Sequence, residues 1–510
     1  MPTLDEYLSW RVALQDPALE LDLGDAFLSL AERDACAPRM ADALAAMTRL
    51  EAGALANPDE GRMVGHYWLR DPARAPDPAI AAAITDSWQQ IHQFATGVRD
   101  GTIAAPDGQP FRHFLLAGIG GSALGPQLLA DALGAQLFTL DNTDPVGIHD
   151  TLRRIPSLAR TLVLVVSKSG GTVETRNAML EVAAAYRDQG LEFSAHAVAV
   201  TGDGSTLHKL ARSDGWRATF PMWDWVGGRT SVLGPVGLLP AALLGLDWRG
   251  LLRGAAAMDA ATRRPFQGNP AAMLAHAWHA LANGHGARAM VMLPYADRLV
   301  LLSRYLQQLV MESLGKRLDR RGHEVDQGLT VYGNKGSTDQ HAYVQQLRDG
   351  LDNFFATFVR VLADASTLDV EPGVTSGDCL DGFYQGTRAA LRERRRPSLT
   401  LTLDRLDAAT LGAIIALFER AVGLYAELID INAYHQPGVE AGKQAAAGVL
   451  TLQRRLVAAL GRAPKTLHEL ADTLGADTFA IWQVARRLAI TGKLRGEGLE
   501  DPTTARFTAQ

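Results

Sequence analysis

The sequence has little cysteine and no long hydrophobic run. Its 510 residues include two cysteines, Cys36 and Cys379, which lie far apart and form no CxxC or Cys–His cluster. This scarcity excludes a disulfide framework and a cysteine-based zinc site, and it suits a reducing compartment. No segment approaches the roughly 20 apolar residues of a membrane helix without a charge, glycine or proline. The residues after Met1 lack the basic and apolar regions of a signal peptide, so we expect a cytoplasmic protein without a membrane partner.

Basic residues are not in excess either. The chain has 50 Lys and Arg against 56 Asp and Glu, a net charge of -6, and 47% of its residues are apolar. A net negative charge gives no general attraction to nucleic acid, so no nucleic-acid partner is expected. Any affinity for an anionic substrate must therefore come from a local site.

The chain does contain a repeated alternation of apolar strands and amphipathic helices. From about residue 112, continuously apolar runs such as 161–167 and 398–403 alternate with helical stretches. This pattern is typical of βαβ units around buried parallel sheets. Because 510 residues are too many for one ordinary core, we predict an α/β protein with two parallel-sheet lobes.

The predicted organisation has four parts. They are a helical N-terminal extension over 1–95, a first α/β domain over 96–265, a second over 266–450, and a small helical appendage over 451–510. The appendage has nine Lys and Arg against six Asp and Glu, and a turn at Gly475 separates its two helical stretches. A DNA-binding helix-turn-helix and a packed appendage both fit this pattern. The acidic remainder of the chain favours the packed appendage.

A glycine-rich turn follows the first apolar strand of the α/β region. The motif GIGGS at 118–122 has clustered glycines, which allow backbone N–H groups to approach an anion at the start of the next helix. It is not a dinucleotide fingerprint, because Ala123 stands where G-x-G-x-x-G requires glycine. By itself the turn fits an anion site and a simple strand-to-helix connection about equally well.

A second polar loop, SKSGGTVET at 167–175, also follows a strand and opens a helix. Its hydroxyls, backbone donors and Lys168 supply what a phosphate monoester requires. Two such loops at the carboxyl ends of strands in one sheet converge on one crevice. The pattern predicts a phosphosugar site and resembles the flavodoxin-like sugar isomerase (SIS) fold.

Four further motifs carry groups suited to acid–base and electrostatic catalysis. They are GGRTS at 227–231, MESLGK at 311–316, DQHAY at 339–343 and GVEAGK at 438–443. Taken singly, the Arg, Glu, His or Lys of such a motif is usually a solvated or structural residue. In this order, and with GRMVGHYWLR at 61–70, they resemble the motifs of the phosphoglucose isomerase family over roughly residues 60–445.

The resemblance implies an aldose–ketose isomerase that interconverts glucose 6-phosphate and fructose 6-phosphate in glycolysis and gluconeogenesis, without metal or cofactor. Glu312 would carry the proton between C2 and C1, Arg229 would stabilise the enediolate, and His341 and Lys443 would assist ring opening. The resemblance also implies a homodimer in which His341 is lent to the partner's site. The implied substrate-binding residues are Gly121, Ser122, Ser167, Lys168, Ser169, Thr172, Gly228, Gln308 and Gln436.

The chain departs from the family pattern at the rim of this site. Ser169-Gly170-Gly171, His435 and Pro437 stand where the family commonly has other residues. Two alternatives therefore accompany a strict glucose 6-phosphate isomerase. One is a broader isomerase that also accepts mannose 6-phosphate, and the other is a phosphosugar-binding regulator that contacts DNA. The regulator is disfavoured, because mere binding does not need an acid–base set around Glu312.

Overall fold

The computed structural model describes residues 4–363 and 366–510, without the side chains of residues 6, 439–441, 443 and 444. Contacts within the chain separate two units, Met1–His435 and Gln436–Gln510. The predicted domain boundary at 450/451 lies inside the helix Pro437–Ala459, within the second of these units, and stays a prediction.

The N-terminal segment combines helices with a β-hairpin. Its elements are α1 (Leu4–Ser9), β1 (Arg11–Gln15), β2 (Ala18–Asp22), α2 (Leu30–Glu51) and α3 (Pro78–Asp100). Ser29 and Glu32 form a capping box at the start of α2, and Asp77 accepts a hydrogen bond from the backbone N–H of Ala79 at the start of α3. The expected helical extension therefore misses the hairpin. Its strands are five residues long, too short for a period of two to stand out.

The first lobe contains a five-stranded parallel sheet in the order β4-β3-β5-β6-β7. Its elements are β3 (His113–Ala117), α4 (Leu124–Ala132), β4 (Phe138–Leu140), α5 (Pro145–Arg154), β5 (Thr161–Val166), α6 (Val173–Asp188), β6 (Ala197–Thr201), α7 (Thr206–Ser213) and β7 (Ala218–Pro221). Strand β5 is buried along its whole length, as its continuous apolar run predicts. Three helices follow, α8 (Pro235–Leu243), α9 (Trp248–Ala261) and α10 (Pro270–Leu281).

The second lobe contains a six-stranded sheet in the order β1-β2-β15-β12-β8-β11. The strands β15, β12, β8 and β11 are parallel. The N-terminal hairpin extends this sheet, because β2 pairs antiparallel with β15 and β1 pairs antiparallel with β2. The elements are β8 (Ala289–Tyr295), α11 (Val300–Leu306), a π-helix (Gln307–Glu312), β9 (Lys316–Leu318), β10 (Glu324–Gln327), β11 (Val331–Tyr332), α12 (Val344–Asp349), β12 (Phe354–Val361), β13 (Asp369–Glu371), β14 (Val374–Thr375), α13 (Ser376–Glu393), β15 (Ser398–Leu403) and α14 (Ala408–Leu428). The predicted two-lobed α/β architecture is confirmed.

Helix α14 forms the centre of the core and crosses α9 at very short range. A Cβ atom on Gly254 would lie 1.8 Å from the carbonyl oxygen of Ala409, and one on Gly412 would lie 2.0 Å from that of Leu251. The two backbones can approach this closely only because both positions lack a side chain. By length and composition α14 is apolar enough to cross a membrane, but 94% of its most apolar window is buried inside the protein. Its hydrophobicity therefore serves the core.

A buried network of charges links α9 and α14 to the N-terminal segment. Asp259 on α9 accepts from Arg70 Nε at 3.0 Å and from Arg420 Nη2 at 2.6 Å, and it also pairs with Arg263. Burial by itself raises the pKa of Asp259, but the three guanidinium groups hold it well below its ordinary value. Arg70 also pairs with Glu419 at 2.7 Å, and burial raises the pKa of Glu419 to about 7.

The C-terminal unit has its own small core. Its elements are α15 (Pro437–Ala459), β16 (Lys465–Thr466), α16 (Leu467–Leu474), α17 (Thr478–Ile490), β17 (Arg495–Glu497) and β18 (Arg506–Thr508). Gly475, in the left-handed region, ends α16, and Asp477 caps α17, so the predicted pair of helices is confirmed. The appendage is not wholly helical, because β16, β18 and β17 form a three-stranded antiparallel sheet.

We expect Asp259→Asn to lower the free energy of unfolding by about 3–5 kcal/mol, because it removes the carboxylate that compensates buried guanidinium groups. Urea unfolding at neutral pH measures the change. Asp150→Asn is the matched control, since Asp150 pairs with Arg153 at 2.6 Å on the exposed side of α5. That variant should lose only about 0–1 kcal/mol. Equal losses would show that the network contributes no more than a surface pair.

Candidate active site

The first two site loops follow neighbouring strands of the first sheet. GIGGS at 118–122 follows β3, and the polar loop that begins at Ser167 follows β5, which pairs with β3. Gly121 packs directly on the loop that contains Arg229. A Cβ atom on Gly121 would lie 2.0 Å from the carbonyl oxygen of Gly228. The requirement for glycine at 121 therefore comes from a backbone–backbone contact that joins two of the predicted motifs.

The second loop is organised by its own hydroxyl groups. Ser167 Oγ accepts from the backbone N–H of Gly170 at 3.1 Å and donates to Thr172 Oγ1 at 3.3 Å. Ser169 Oγ accepts from the backbone N–H of Gly171 at 3.1 Å. Ser167 is buried, whereas Ser169 is exposed. The three predicted phosphate ligands of this loop, Ser167, Ser169 and Thr172, thus lie within the six residues directly before α6, where a dianion is favoured.

Lys168 ties this loop to the GGRTS motif at 227–231. Its Nζ donates to the carbonyl oxygens of Asp224 and Val226, both at 3.0 Å, immediately before the two glycines of that motif. Burial lowers the pKa of Lys168, and Arg62 acts in the same direction. The ammonium therefore holds two loops together and adds positive charge to the predicted phosphate site.

Arg229 connects the first lobe to the predicted base. Its Nη1 lies 3.2 Å from Glu312 Oε2, with side-chain exposures of 4% and 20%. Its Nη2 donates to the carbonyl oxygens of Ala433 at 2.9 Å and His435 at 3.0 Å. Burial lowers the pKa of Arg229, and the Glu312 carboxylate opposes that shift. The structure thus brings together the two residues to which sequence reasoning assigned proton transfer and charge stabilisation.

Glu312 is the last residue of the π-helix Gln307–Glu312, which interrupts the helix that begins at Val300. π-helical turns occur frequently at functional sites. Gln308, on the same turn, reaches the first loop, because a Cβ atom on Gly120 would lie 3.0 Å from Gln308 Nε2. The predicted position of Gln308 beside the sugar site is consistent with this contact. The sequence predicts an ordinary helix here and does not reveal the π-helical turn.

His341 lies on a separate loop that its neighbours hold in place. Asp339 is buried and accepts from the backbone N–H groups of Asn334 at 2.9 Å and Lys335 at 3.1 Å. Gln340 donates to Tyr295 and to α13. His341 itself is exposed, and among the described residues no hydrogen bond or ion pair joins it to Glu312. Its predicted catalytic role therefore stays a prediction.

Two predicted site residues belong to the C-terminal unit. Gln436 is exposed, and Lys443 lies on α15, but its side chain is outside the described part of the chain. Their roles in the site stay predictions. Among the described residues, no group of three or more His, Cys, Asp or Glu side chains is placed to hold a metal ion.

Sequence reasoning did not assign a role to Lys316, the last residue of the MESLGK motif. Lys316 is buried, and its Nζ donates to the carbonyl oxygens of Glu312 at 2.7 Å and Ser313 at 2.8 Å. The sequence did contain a signal for a structural role, because Lys316 lies four residues after Glu312 near the end of a helix, where cations are favoured. A cavity of about 40 Å³ lies close by, lined among others by Lys168, Arg229, Ser313 and Glu419.

The chain is similar to known proteins over most of its length. The family model for phosphoglucose isomerase matches residues 27–376 and 384–458. The chain belongs to the phosphoglucose isomerase family. A glucose-6-phosphate isomerase of Geobacter sulfurreducens is 59% identical over 450 residues, covering 86% of this chain and 85% of that protein. One from Synechococcus sp. (strain JA-3-3Ab) is 54% identical over 502 residues, covering 96% and 94%.

Solved structures agree with this assignment to the phosphoglucose isomerase family. A glucose-6-phosphate isomerase from Chlamydia trachomatis superposes with a TM-score of 0.79 at 25% identity, covering 89% of this chain and 92% of that one. The match to the Synechococcus relative leaves about 4% of this chain uncovered, although residues after 458 lie beyond the family model. Most of the C-terminal unit therefore has a counterpart in that member of the family.

We expect Gly121→Ala to reduce kcat/KM by roughly 10²-fold, because a methyl group there forces the first loop away from Gly228 by about 1 Å or more. A coupled assay for glucose 6-phosphate measures it, with thermal unfolding recorded in parallel. Gly386→Ala is the control, since a Cβ atom on this exposed position of α13 meets nothing within 4 Å. Unchanged kcat/KM in a folded Gly121→Ala protein would mean that the close contact is not needed.

Proposed function

We propose that Glu312 is the base with which this isomerase interconverts glucose 6-phosphate and fructose 6-phosphate. The carboxylate removes the proton from C2 of the open-chain aldose and returns it to C1, while the hydroxyl proton on O2 passes to O1. One carboxylate serves both carbons because they are adjacent in a planar enediolate. The ion pair between Glu312 and Arg229 is the observation that supports this role.

Arg229 stabilises the negative charge of the enediolate oxygens. Its guanidinium is fixed by Glu312 and by two backbone carbonyls, so it needs little reorganisation when that charge develops. Its burial strengthens the electrostatic effect, because water is largely excluded. Ser122, Ser167, Ser169 and Thr172 bind the phosphate, with Lys168 beside them.

Ring opening precedes proton transfer and requires a proton to move between the ring oxygen and the C1 hydroxyl. His341 and Lys443 carry out this step, and Gln308 and Gln436 line the sugar site together with Gly121 and Gly228. His341 comes from the partner subunit of a homodimer. Its exposure in the single chain, on a loop fixed by buried Asp339, supports this arrangement.

The protein acts in the cytoplasm. Its chain is divided into an N-terminal extension, two sugar isomerase (SIS) domains and a C-terminal appendage. The appendage does not bind nucleic acid. The broader isomerase stays as a second candidate because of His435. Its carbonyl oxygen holds Arg229, and its Nε2 lies 3.8 Å from Asp59 Oδ2. Mannose 6-phosphate, supplied in place of fructose 6-phosphate in the coupled assay, separates the two candidates. Only the broader isomerase should form glucose 6-phosphate from it.

Glu312→Gln should lower kcat by about 10²–10⁴-fold, because the amide is nearly isosteric but cannot accept the proton. Glucose 6-phosphate formed from fructose 6-phosphate is measured with a coupled dehydrogenase. Glu324→Gln is the control, since Glu324 is an exposed carboxylate of the same lobe. In deuterated water, wild type should place label at C1 or C2. Equal rates for the two variants would remove Glu312 from its proposed role.

The dimeric site predicts complementation between two inactive variants. Glu312→Gln and His341→Asn should each be inactive alone, whereas a refolded equimolar mixture should regain roughly one quarter of wild-type activity. Half of the dimers are then mixed, and each mixed dimer holds one complete site. A mixture as inactive as its components, in a sample that sediments as a dimer, would contradict a site shared between subunits.

A further inference from the structure

We propose that Lys316 is a positioning residue for the isomerase reaction, which fixes the helix end bearing Glu312 and adds a second positive charge beside Arg229. The proposal rests on the role of Glu312 as base. The Nζ of Lys316 donates to the backbone carbonyls of Glu312 and Ser313, so it acts on the reaction by holding the base in place and by its charge.

The first part of the argument is the hydrogen bonding at the end of the helix. Helical structure ends just before Gly315, and β9 begins at Lys316. The carbonyl oxygens of Glu312 and Ser313 belong to the last turn, where no later N–H of the helix is available to them. Lys316 Nζ donates to both, at 2.7 and 2.8 Å. The lysine thereby holds the backbone of Glu312 itself.

This contact matters because the segment is a π-helix. A π-helical turn is less stable than an α-helical turn, and π-helices are correspondingly rare. A buried donor at the C-terminal end compensates for this, and a cation there is also favoured by the helix dipole. Without Lys316, two buried carbonyls lose their donor. The backbone that carries the base is then free to move.

The second part is the charge around Lys316. Burial lowers the pKa of Lys316 to about 7, Arg229 acts in the same direction, and Glu312 and Asp59 oppose it. His435 belongs to the same cluster, because the charge of Lys316 helps to lower the pKa of its imidazole, in addition to the larger effect of burial. Lysine is therefore an ammonium below about pH 7 and largely a neutral amine above it. Both forms have enough N–H groups for the two carbonyls, but only the ammonium adds charge beside Glu312.

The two functions of Lys316 respond differently to pH. Positioning persists on both sides of neutrality, whereas the field at Glu312 is more positive on the acidic side. A positive charge beside Arg229 adds to the stabilisation of the negative enediolate oxygens, and it is lost as pH rises through about 7. Lys316 should thus support activity most on the acidic side of neutrality. A purely structural lysine would not have this effect.

The test is Lys316→Met, which keeps an unbranched side chain one atom shorter and removes both charge and donor. We expect kcat to fall roughly 10–100-fold through misplacement of the base, with KM nearly unchanged. The loss should be larger below about pH 7, where wild type carries the ammonium, than above it. Lys316→Gln, which keeps a donor without the charge, should recover part of kcat and still show the larger loss on the acidic side.

Lys465→Met is the matched control. Lys465 Nζ also donates to a carbonyl at a helix end, that of Ala459 at 2.9 Å, but Lys465 is not among the residues of the proposed site. This variant should keep the wild-type pH profile. If Lys316→Met lost thermal stability but kept the wild-type kcat at every pH, Lys316 would be only structural and the inference would be overturned.

The failure of this inference is distinguishable from the failure of the proposed function. Wild type and Glu312→Gln are measured in the same coupled assay over the same pH range. Equal activity of these two proteins would remove the base on which the proposal rests. If they differ as expected and the Lys316→Met profile overlays that of wild type, only the inference about Lys316 fails.

Discussion

The contact between Arg229 and Glu312 is the interaction on which the geometry of the site depends. One guanidinium spans three stretches that are far apart in the chain: its own loop after the first sheet, the π-helix of the second lobe, and the carbonyl oxygens of Ala433 and His435 after α14. Burying such a cation is unfavourable unless its donors are satisfied. The surrounding acceptors meet that condition, and in doing so they join the loop after the first sheet, the π-helix and the segment after α14 at one place.

Short backbone contacts make this arrangement rigid. Gly121 lets the first loop touch Gly228, and Lys168 binds the carbonyls of Asp224 and Val226 on the other side of the same motif. At the opposite end Lys316 holds the helix that carries Glu312. Preorganised charges of this kind are effective because they need not turn toward the transition state as it forms. The positions of Arg229 and Glu312 thus depend on the residues that hold their two segments in place.

The buried network of ion pairs around Asp259 connects the core helices to the lining of the site. It joins α9, α14 and the N-terminal segment, while the crossing at Gly254 and Gly412 brings the same two helices into contact. Glu419 belongs both to this network and to the lining of the small cavity beside Arg229. Core stability and the electrostatics of the site are therefore coupled through a few buried ions.

The sequence alone determined the class of fold, the two lobes and most strands and helices of the sheets, because continuous apolar runs and helical periods are local signals. It also singled out Arg229 and Glu312, since their motifs occur in a characteristic order. Only the tertiary structure placed the N-terminal hairpin in the second sheet, located the unit boundary at 435/436 and revealed the role open to Lys316. These depend on contacts between distant segments and on a π-helical turn, neither of which leaves a periodic trace in the chain.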